Sequence, residues 1–386
     1  MGVVVRDAPD KFRARFPIFG EKTYLASCSQ GALSPAVRQA FATYLDSWDE
    51  QGNPWGRWVE ESELLRADFA ALINARPEEI AITFSDSSAL NAVAGALDLR
   101  QRSRLVTTAL DFPTVGQILL AQAQRGATVD FVPERAGVIE TDDLAGRVDR
   151  TTALVAATHV SFLSGGRLDV AAAARVAHDA GALFCLDAYQ STGVQALDVR
   201  ALGVDILVAG ALKYLLGPPG VAFLYVRGDL VDGLRPLDSG WFAQENPFAF
   251  EGDRLCYAPT ANRFQSGSPP IPSVYGARAG LALVREVGTP AIEEHVAALA
   301  TRLVEGATAA GYALRTPEDA GRRGPLVVLR SRDADQLAAR LAERGVLCAP
   351  RGDGLRASFH YYNLAEDVDR LLDALAAHED LLVRAS

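Results

Sequence analysis

The chain has 386 residues, of which 49% are hydrophobic and 22% charged, so it is long enough for two packed domains of ordinary globular composition. A formal net charge of −10 disfavours a nucleic-acid-binding protein, because tracking phosphates requires a basic face. The cysteines form no CxxC pair and no Cys/His cluster, which disfavours a structural metal site or a disulfide framework; they are Cys28, Cys185, Cys256 and Cys348.

The amino terminus and the most apolar segment both argue against export or membrane insertion. Residues 1–16 contain a three-valine run followed by charges, which is not the apolar core of a signal peptide. Residues 205–226 are the most apolar stretch, but Lys213 and a Pro-Pro pair lie in their middle, and a membrane span would not tolerate them. We therefore expect a cytoplasmic protein without a membrane partner.

Two amphipathic helices are predicted before the first strand. Ser34 is a capping residue, Pro35 suits the first helical position, and apolar residues recur with helical spacing through 34–48. A second helix is predicted over about 60–74.

Short apolar strands then alternate with helical segments. The predicted strands are 80–84, 104–108, 128–132, 152–158, 182–187 and 205–210. Continuous apolar strands separated by helices are typical of a mostly parallel sheet covered on both faces, here within about 75–230. Residues 221–226 follow a Pro-Pro-Gly turn, and we predict that they return antiparallel to the preceding strand.

The remainder changes pattern. Residues 231–270 are rich in loops, and from 271 long helices lead into strands at 325–330, 345–350 and 355–361. We predict an N-terminal segment (1–30), a large α/β domain (31–270) and a small α+β carboxy-terminal domain (271–386).

Polar residues follow two successive predicted strands. Asp187 ends one strand, Gln190 follows it, and Lys213, one of only three lysines among 38 basic residues, lies just beyond the next strand. Ligands of open parallel sheets bind outside the carboxyl ends of the strands. The turn at 83–91 enters a helix whose amino terminus favours a phosphate. An amine, a carboxylate and a phosphate cradle are what pyridoxal 5'-phosphate (PLP) needs, so we predict PLP as the cofactor.

At this point the sequence resembles a known family, the class V aminotransferase group of fold-type I PLP enzymes, which includes cysteine desulfurases, kynureninases and isopenicillin N epimerase-like proteins. The resemblance is carried by the segments YLASCSQGALSPAV, LDAYQSTG, LKYLLGPPG, RFQSGSP and LRASFHYYNLAEDVD. It implies the fold-type I architecture, with a mostly parallel seven-stranded sheet and a small α+β domain.

The resemblance also implies roles around the cofactor ring. Lys213 would hold PLP as a Schiff base, Asp187 would face the pyridine nitrogen, and Gln190 would donate a hydrogen bond to the phenolic oxygen. Phe112, in LDFPTVGQ, would stack on the ring. His159 would lie near the ring and the substrate carboxylate.

Further roles concern the phosphate, the partner subunit and the substrate. Ser87 and Ser88 would bind the phosphate. Ser268 corresponds to a position that reaches the partner subunit's phosphate site in relatives, which implies a homodimer with shared active sites. Arg356 would bind the substrate α-carboxylate, for which a planar two-pronged donor is well suited.

The sequence also departs from the family pattern. Asp86 is an unexpected acid in the phosphate turn, and we interpret it as a helix cap pointing away from the site. The desulfurase loop with its nucleophilic cysteine is absent, and Cys348 lies eight residues before Arg356 in a strand-like run. A structural role for Cys348 is therefore favoured, and a persulfide-forming desulfurase is disfavoured.

Four functional hypotheses follow. The leading one is a lyase that eliminates the sulfur substituent of an S-substituted cysteine. An aminotransferase or epimerase would use the same first steps, and a non-catalytic scaffold with the PLP fold is a third possibility. A nucleotide-binding protein is set aside because no GxGxxG or GxxxxGK[ST] loop occurs.

Overall fold

The computed structural model describes residues 8–385, so the three-valine run of the amino terminus lies outside the described residues. The strands are β1 (Thr23–Tyr24), β2 (Ile80–Thr83), β3 (Arg104–Thr108), β4 (Thr128–Val132), β5 (Thr152–Thr158), β6 (Leu183–Asp187), β7 (Ile206–Gly210), β8 (Ala222–Val226), β9 (Leu326–Arg330), β10 (Val346–Leu347), β11 (Ala349–Arg351) and β12 (Gly354–Ser358). The helices are α1 (Pro9–Arg13), α2 (Pro35–Gln51), α3 (Trp55–Leu72), α4 (Asp86–Ala96), α5 (Pro113–Ala121), α6 (Thr141–Ala145), α7 (Val170–Asp179), α8 (Ile271–Val287), α9 (Thr289–Ala309), α10 (Ala334–Glu343) and α11 (Ala365–Ala376).

The large sheet has seven strands in the order β2-β8-β7-β6-β5-β3-β4. Strands β3 to β7 run parallel to one another, whereas β8 is antiparallel to both β7 and β2. This confirms the predicted mostly parallel α/β fold, including the antiparallel return of residues 221–226. Residues 211–221 connect β7 to β8 and form a loop at the edge of the sheet where ligands bind.

Hydrophobic cores cover both faces of this sheet, because successive strand residues point to opposite sides. Leu105 of β3 belongs to one core together with Val93 of α4, and the next residue, Val106, belongs to the other together with Phe69 of α3. Both faces being buried explains why the strands are continuous apolar runs rather than alternating ones.

The carboxy-terminal part is built on a second, antiparallel sheet with the order β11-β12-β9. Its core includes residues from the N-terminal segment, among them Phe12 and Leu25, and β1 pairs in parallel with β10. Helix α8 connects this core to the large sheet: Leu281 packs in a core of the large sheet, and Val284 packs in the carboxy-terminal core. The division at 30 and 270 stays a prediction.

None of the helices within residues 8–385 is long and apolar enough to cross a membrane.

Candidate active site

A cavity of about 320 Å³ lies at the carboxyl ends of β5, β6 and β7. The amino termini of α4 and α5 close one side of it, and the β11–β12 hairpin and residues 28–29 close the other. Five polar residues predicted to form the site line this cavity: Ser87, Asp187, Gln190, Lys213 and Arg356. Asp86 and Arg351 line it as well.

Asp187 is the last residue of β6, and its carboxylate is buried in the wall of the cavity. Oδ1 accepts a hydrogen bond from the Tyr189 backbone N–H at 2.9 Å. Burial raises the pKa of Asp187, while the nearby Lys213 ammonium opposes that shift. A buried carboxylate is costly without a positive partner, and a protonated pyridine nitrogen would be such a partner.

Lys213 lies three residues beyond β7, inside the loop that leads to β8. Its carbonyl accepts the Leu216 N–H, and the neighbouring Leu212 carbonyl accepts the Gly31 N–H at 2.7 Å. Burial lowers the pKa of Lys213, and Nζ lies 4.3 Å from the centre of the Tyr189 ring. The side chain is therefore a half-buried amine at the end of the sheet, as formation of an imine requires.

Gly31 is required by this loop. A Cβ at residue 31 would lie 2.4 Å from the Lys213 carbonyl oxygen, so a larger residue would displace the lysine backbone. The N-terminal segment and the lysine loop therefore fit together only through a glycine.

The two serines predicted to bind phosphate, at the amino terminus of α4, have different surroundings. Ser87 lines the cavity, but Ser88 does not: its hydroxyl donates to the Ser85 carbonyl at 2.7 Å and accepts the Ser85 N–H at 3.0 Å. Ser88 is thus half of a capping box with Ser85, which is the true helix cap.

Asp86 also differs from the expectation. It is not the cap and does not point away, because it lines the cavity and its Oδ1 is buried without a hydrogen-bond partner among the described residues. Burial raises the pKa of Asp86 well above its usual range, and the nearby Asp187 adds to the shift. A protonated carboxyl in this place could donate to a phosphate oxygen.

Phe112 precedes Pro113 at the start of α5 and lines the cavity with 44% of its surface exposed. Its ring packs edge-on against Phe162, with the centroids 5.0 Å apart. This position suits the predicted stacking role, which stays a prediction.

The structure does not bring His159 to the cavity. Thr158 lines it instead, and His159 lines a second cavity together with Arg167 and Gln195. The reason is the alternation of extended backbone, which turns consecutive side chains to opposite sides. Burial lowers the pKa of His159 to about 3, so the ring is neutral, and its backbone N–H donates to the Asp187 carbonyl at 2.8 Å.

Gln190 lines the cavity and is held by the N-terminal segment. Its Nε2 donates to the Cys28 carbonyl at 3.2 Å, and its Oε1 is buried without a partner among the described residues. One polar group of this amide therefore remains available for a ligand that enters the cavity.

Arg356 is only 2% exposed and makes hydrogen bonds to neutral acceptors. Its guanidinium donates to Ser29 Oγ at 3.1 Å and, at longer distances, to the Phe162 and Ala349 carbonyls. No carboxylate within residues 8–385 forms an ion pair with it. The buried positive charge is therefore available for an anionic ligand such as a substrate carboxylate.

Ser268 is exposed and does not line the cavity of its own chain. Its predicted contact with a partner subunit stays a prediction.

Several lining residues were not predicted from the sequence, among them Cys28, Tyr189 and Arg351. The position of Tyr189 could have been predicted from the sequence, because it lies between Asp187 and Gln190. Cys28 is held at the cavity by long-range contacts: Ser358 Oγ accepts its N–H at 2.8 Å, and the Tyr362 hydroxyl lies 2.7 Å from the hydroxyl of the adjacent Ser27. Such long-range contacts leave no local sequence pattern.

These groups fit PLP: a half-buried amine, a buried carboxylate, a hydroxyl-lined helix amino terminus and an uncompensated arginine face one cavity. A family model for class V aminotransferases matches residues 49–371. The chain is 38% identical to a Bacillus subtilis protein described as the uncharacterized aminotransferase YcbU, over 96% of this chain and 98% of that protein. It is 31% identical to a kynureninase from Deinococcus radiodurans, over 98% and 95%.

Solved structures agree. The chain superposes on a cysteine desulfurase from Escherichia coli with a TM-score of 0.85 at 25% identity, covering 98% of this chain and all of the other. The fold-type I architecture is confirmed. The chain therefore belongs to the class V aminotransferase family, and it is a PLP-dependent enzyme.

Proposed function

We propose that this enzyme is a lyase that eliminates the sulfur substituent of an S-substituted cysteine. In the overall reaction the Cα–H and Cβ–S bonds break and one water is consumed, which gives a thiol, pyruvate and ammonium. The proposal rests on the family and on the guanidinium of Arg356, which forms no ion pair within residues 8–385. Above all, it rests on the connection between β11 and β12.

That connection is a two-residue turn. Arg351 pairs with Gly354, so only Gly352 and Asp353 separate the strands. A loop long enough to carry a nucleophilic cysteine into the cavity has no place there. Cys348 does not line the cavity, and burial raises the pKa of its thiol, which disfavours the reactive thiolate. Release of the sulfur as a free thiol therefore fits better than its transfer to a cysteine of this hairpin or to Cys348.

The residues of the cavity suit such a reaction. When bound, PLP supplies an electron sink for the electrons left at Cα. Lys213, whose pKa is lowered by burial, has a neutral amine available more readily than a surface lysine and would take the proton from Cα. Asp187 would keep the pyridine nitrogen protonated, and Arg356 would hold the α-carboxylate so that Cα faces Lys213.

A homodimer is part of the proposal. Large apolar side chains are exposed before α4 and within residues 231–270, with Phe84 45%, Leu237 73% and Phe250 75% exposed. Their burial against a second copy would bring the exposed Ser268 to the partner's phosphate site. Light scattering coupled to size exclusion measures this directly, and a monomer at micromolar concentration would contradict it. Cytoplasmic location stays a prediction.

Two other reactions have support from the relatives. Hydrolytic cleavage of kynurenine is favoured by the kynureninases at 31% and 30% identity. Transamination is favoured by the description of the Bacillus relative as an aminotransferase. Epimerisation, the remaining alternative, would use the same base.

Product analysis separates these reactions. Purified holoenzyme is incubated with S-substituted cysteines or kynurenine, without and with an oxo acid, and Lys213→Ala serves as the control. We expect pyruvate and ammonium in equal amounts without an oxo acid. Anthranilate from kynurenine, product formation that requires an oxo acid, an inverted α-carbon alone, or alanine with enzyme-bound sulfur from cysteine would each overturn the proposal in favour of a different reaction.

A further inference from the structure

The β11–β12 hairpin carries a second arginine towards the cavity. Ala349 pairs with Arg356, and Arg351 pairs with Gly354. Paired residues of an antiparallel hairpin share a face, and so do residues two apart on one strand. Arg351 and Arg356 therefore lie diagonally on the same face, and both line the cavity.

The positions opposite these arginines are small. Ala349 faces Arg356, and Gly354, which has no side chain, faces Arg351. Diagonal neighbours on such a hairpin have Cα atoms about 7–8 Å apart, so both guanidinium groups can serve one extended ligand. The register of the hairpin thus builds a two-arginine wall along one side of the cavity.

The charge of Arg351 is not compensated by the protein. Its side chain is exposed at the cavity and makes no hydrogen bond or ion pair within residues 8–385. The acid closest in the chain, Asp353, is bound by Arg315 at 3.3 Å and by Arg330 at 3.2 Å. The turn that carries Arg351 therefore offers it no partner.

The other charged groups of the cavity already have roles in the proposed function. Asp187 and Lys213 would bind the cofactor ring, the amino terminus of α4 would bind the phosphate, and Arg356 would bind the α-carboxylate of the substrate. Arg351 is the positive group that remains, and it lies on the substrate side, beside Arg356.

We propose that Arg351 binds a second carboxylate at the far end of the substrate side chain, so that the substrate is an acidic S-substituted cysteine. The inference rests on the proposed function and specifies its substrate. A planar guanidinium can donate two parallel hydrogen bonds to a carboxylate. The uncharged side chain of kynurenine would leave Arg351 without a partner.

A matched pair of amino acids tests this. S-carboxymethyl-L-cysteine and S-carbamoylmethyl-L-cysteine have nearly the same size and differ by one negative charge. Holoenzyme is titrated with each, the Kd is read from the change in cofactor absorbance, and pyruvate is measured in parallel. We expect the acid to bind about tenfold more tightly than the amide, the size of one charge-assisted hydrogen bond.

Two variants distinguish a local effect from a change in bulk charge. Arg351→Gln should weaken binding of the acid about tenfold and leave the amide unchanged. Arg344→Gln removes the same charge from an exposed residue that does not line the cavity, and it should change neither Kd.

Equal affinity of the wild type for both compounds would overturn the inference, as would an equal loss for both in Arg351→Gln. The same experiment can contradict the proposed function independently of the role of Arg351. If the acid binds preferentially through Arg351 but yields no pyruvate, the charge recognition stands and the elimination reaction does not. If both compounds yield pyruvate with equal affinity, the elimination reaction stands and the role of Arg351 does not.

Discussion

The Lys213 ammonium lies over the Tyr189 ring, with Nζ 4.3 Å from the ring centre. The ring occupies this place because Gly210, the last residue of β7, has no side chain. A Cβ at residue 210 would lie 2.2 Å from two ring carbons and the hydroxyl oxygen of Tyr189. The end of one strand thus makes room for the aromatic ring that follows the neighbouring strand, and that ring limits where the lysine amine can lie.

Gly210→Ala should therefore disturb the active site as well as the core. Overpacking of this kind costs about 1–3 kcal/mol of unfolding free energy, and displacement of Tyr189 should lower kcat/KM about tenfold. Gly233→Ala is the matched control, because no atom lies within 4 Å of a Cβ at that exposed position. Urea denaturation and steady-state kinetics measure both effects, and an unperturbed Gly210→Ala enzyme would show that the ring position is unimportant.

The two serines of the phosphate turn should respond differently to removal of the hydroxyl. Ser87→Ala should weaken PLP binding about tenfold, because a hydroxyl in the cavity is lost. Ser88→Ala should leave the PLP affinity within about twofold and lower the unfolding free energy by about 1 kcal/mol, because it removes half of a capping box. Absorbance titration of the apoenzyme with PLP and urea denaturation measure the two effects. The same loss of PLP affinity in both variants would contradict the separation.

His360 should make the protein sensitive to acid. Nδ1 accepts the Tyr361 N–H at 2.7 Å and Nε2 donates to the Tyr214 carbonyl at 2.9 Å, so the neutral ring is satisfied at both nitrogens. Burial lowers the pKa of His360 to about 4. Because the unfolded chain binds this proton at about pH 6.5, the stabilisation is present above pH 6.5 and is lost as the pH falls towards 4.

The loss amounts to at most about 3.5 kcal/mol, since each pKa unit is worth about 1.4 kcal/mol. His159, whose pKa is lowered to about 3, acts in the same direction. Urea denaturation of the holoenzyme between pH 4 and 8 measures the effect. His360→Gln should flatten the dependence between pH 6.5 and 4, and an unchanged slope in that variant would contradict the role of His360.

Much of the fold and part of the site were predictable because they depend on local patterns. Continuous apolar strands indicated a sheet buried on both faces, and the carboxyl ends of parallel strands necessarily meet at one edge. Asp187 and Lys213 follow neighbouring strands, β6 and β7, so their meeting follows from topology alone.

The remaining site features depend on register and long-range contacts. Whether Thr158 or His159 faces the cavity is decided by a shift of one residue at the end of β5. Arg351 lines the cavity because of its pairing in the β11–β12 hairpin, and Cys28 does so because Ser358 holds its backbone. None of these contacts leaves a pattern in the nearby sequence, although the Arg356 and Ser358 signature was itself recognisable.

The central claim, that Lys213 holds the cofactor, is tested most directly by borohydride reduction of the purified protein followed by peptide mapping. An absorption band of the bound cofactor should disappear on reduction and leave a pyridoxyl group on Lys213, and Lys213→Ala should yield no such adduct. A protein that takes up no added PLP, or an adduct found only on Lys11 or Lys22, would contradict the account.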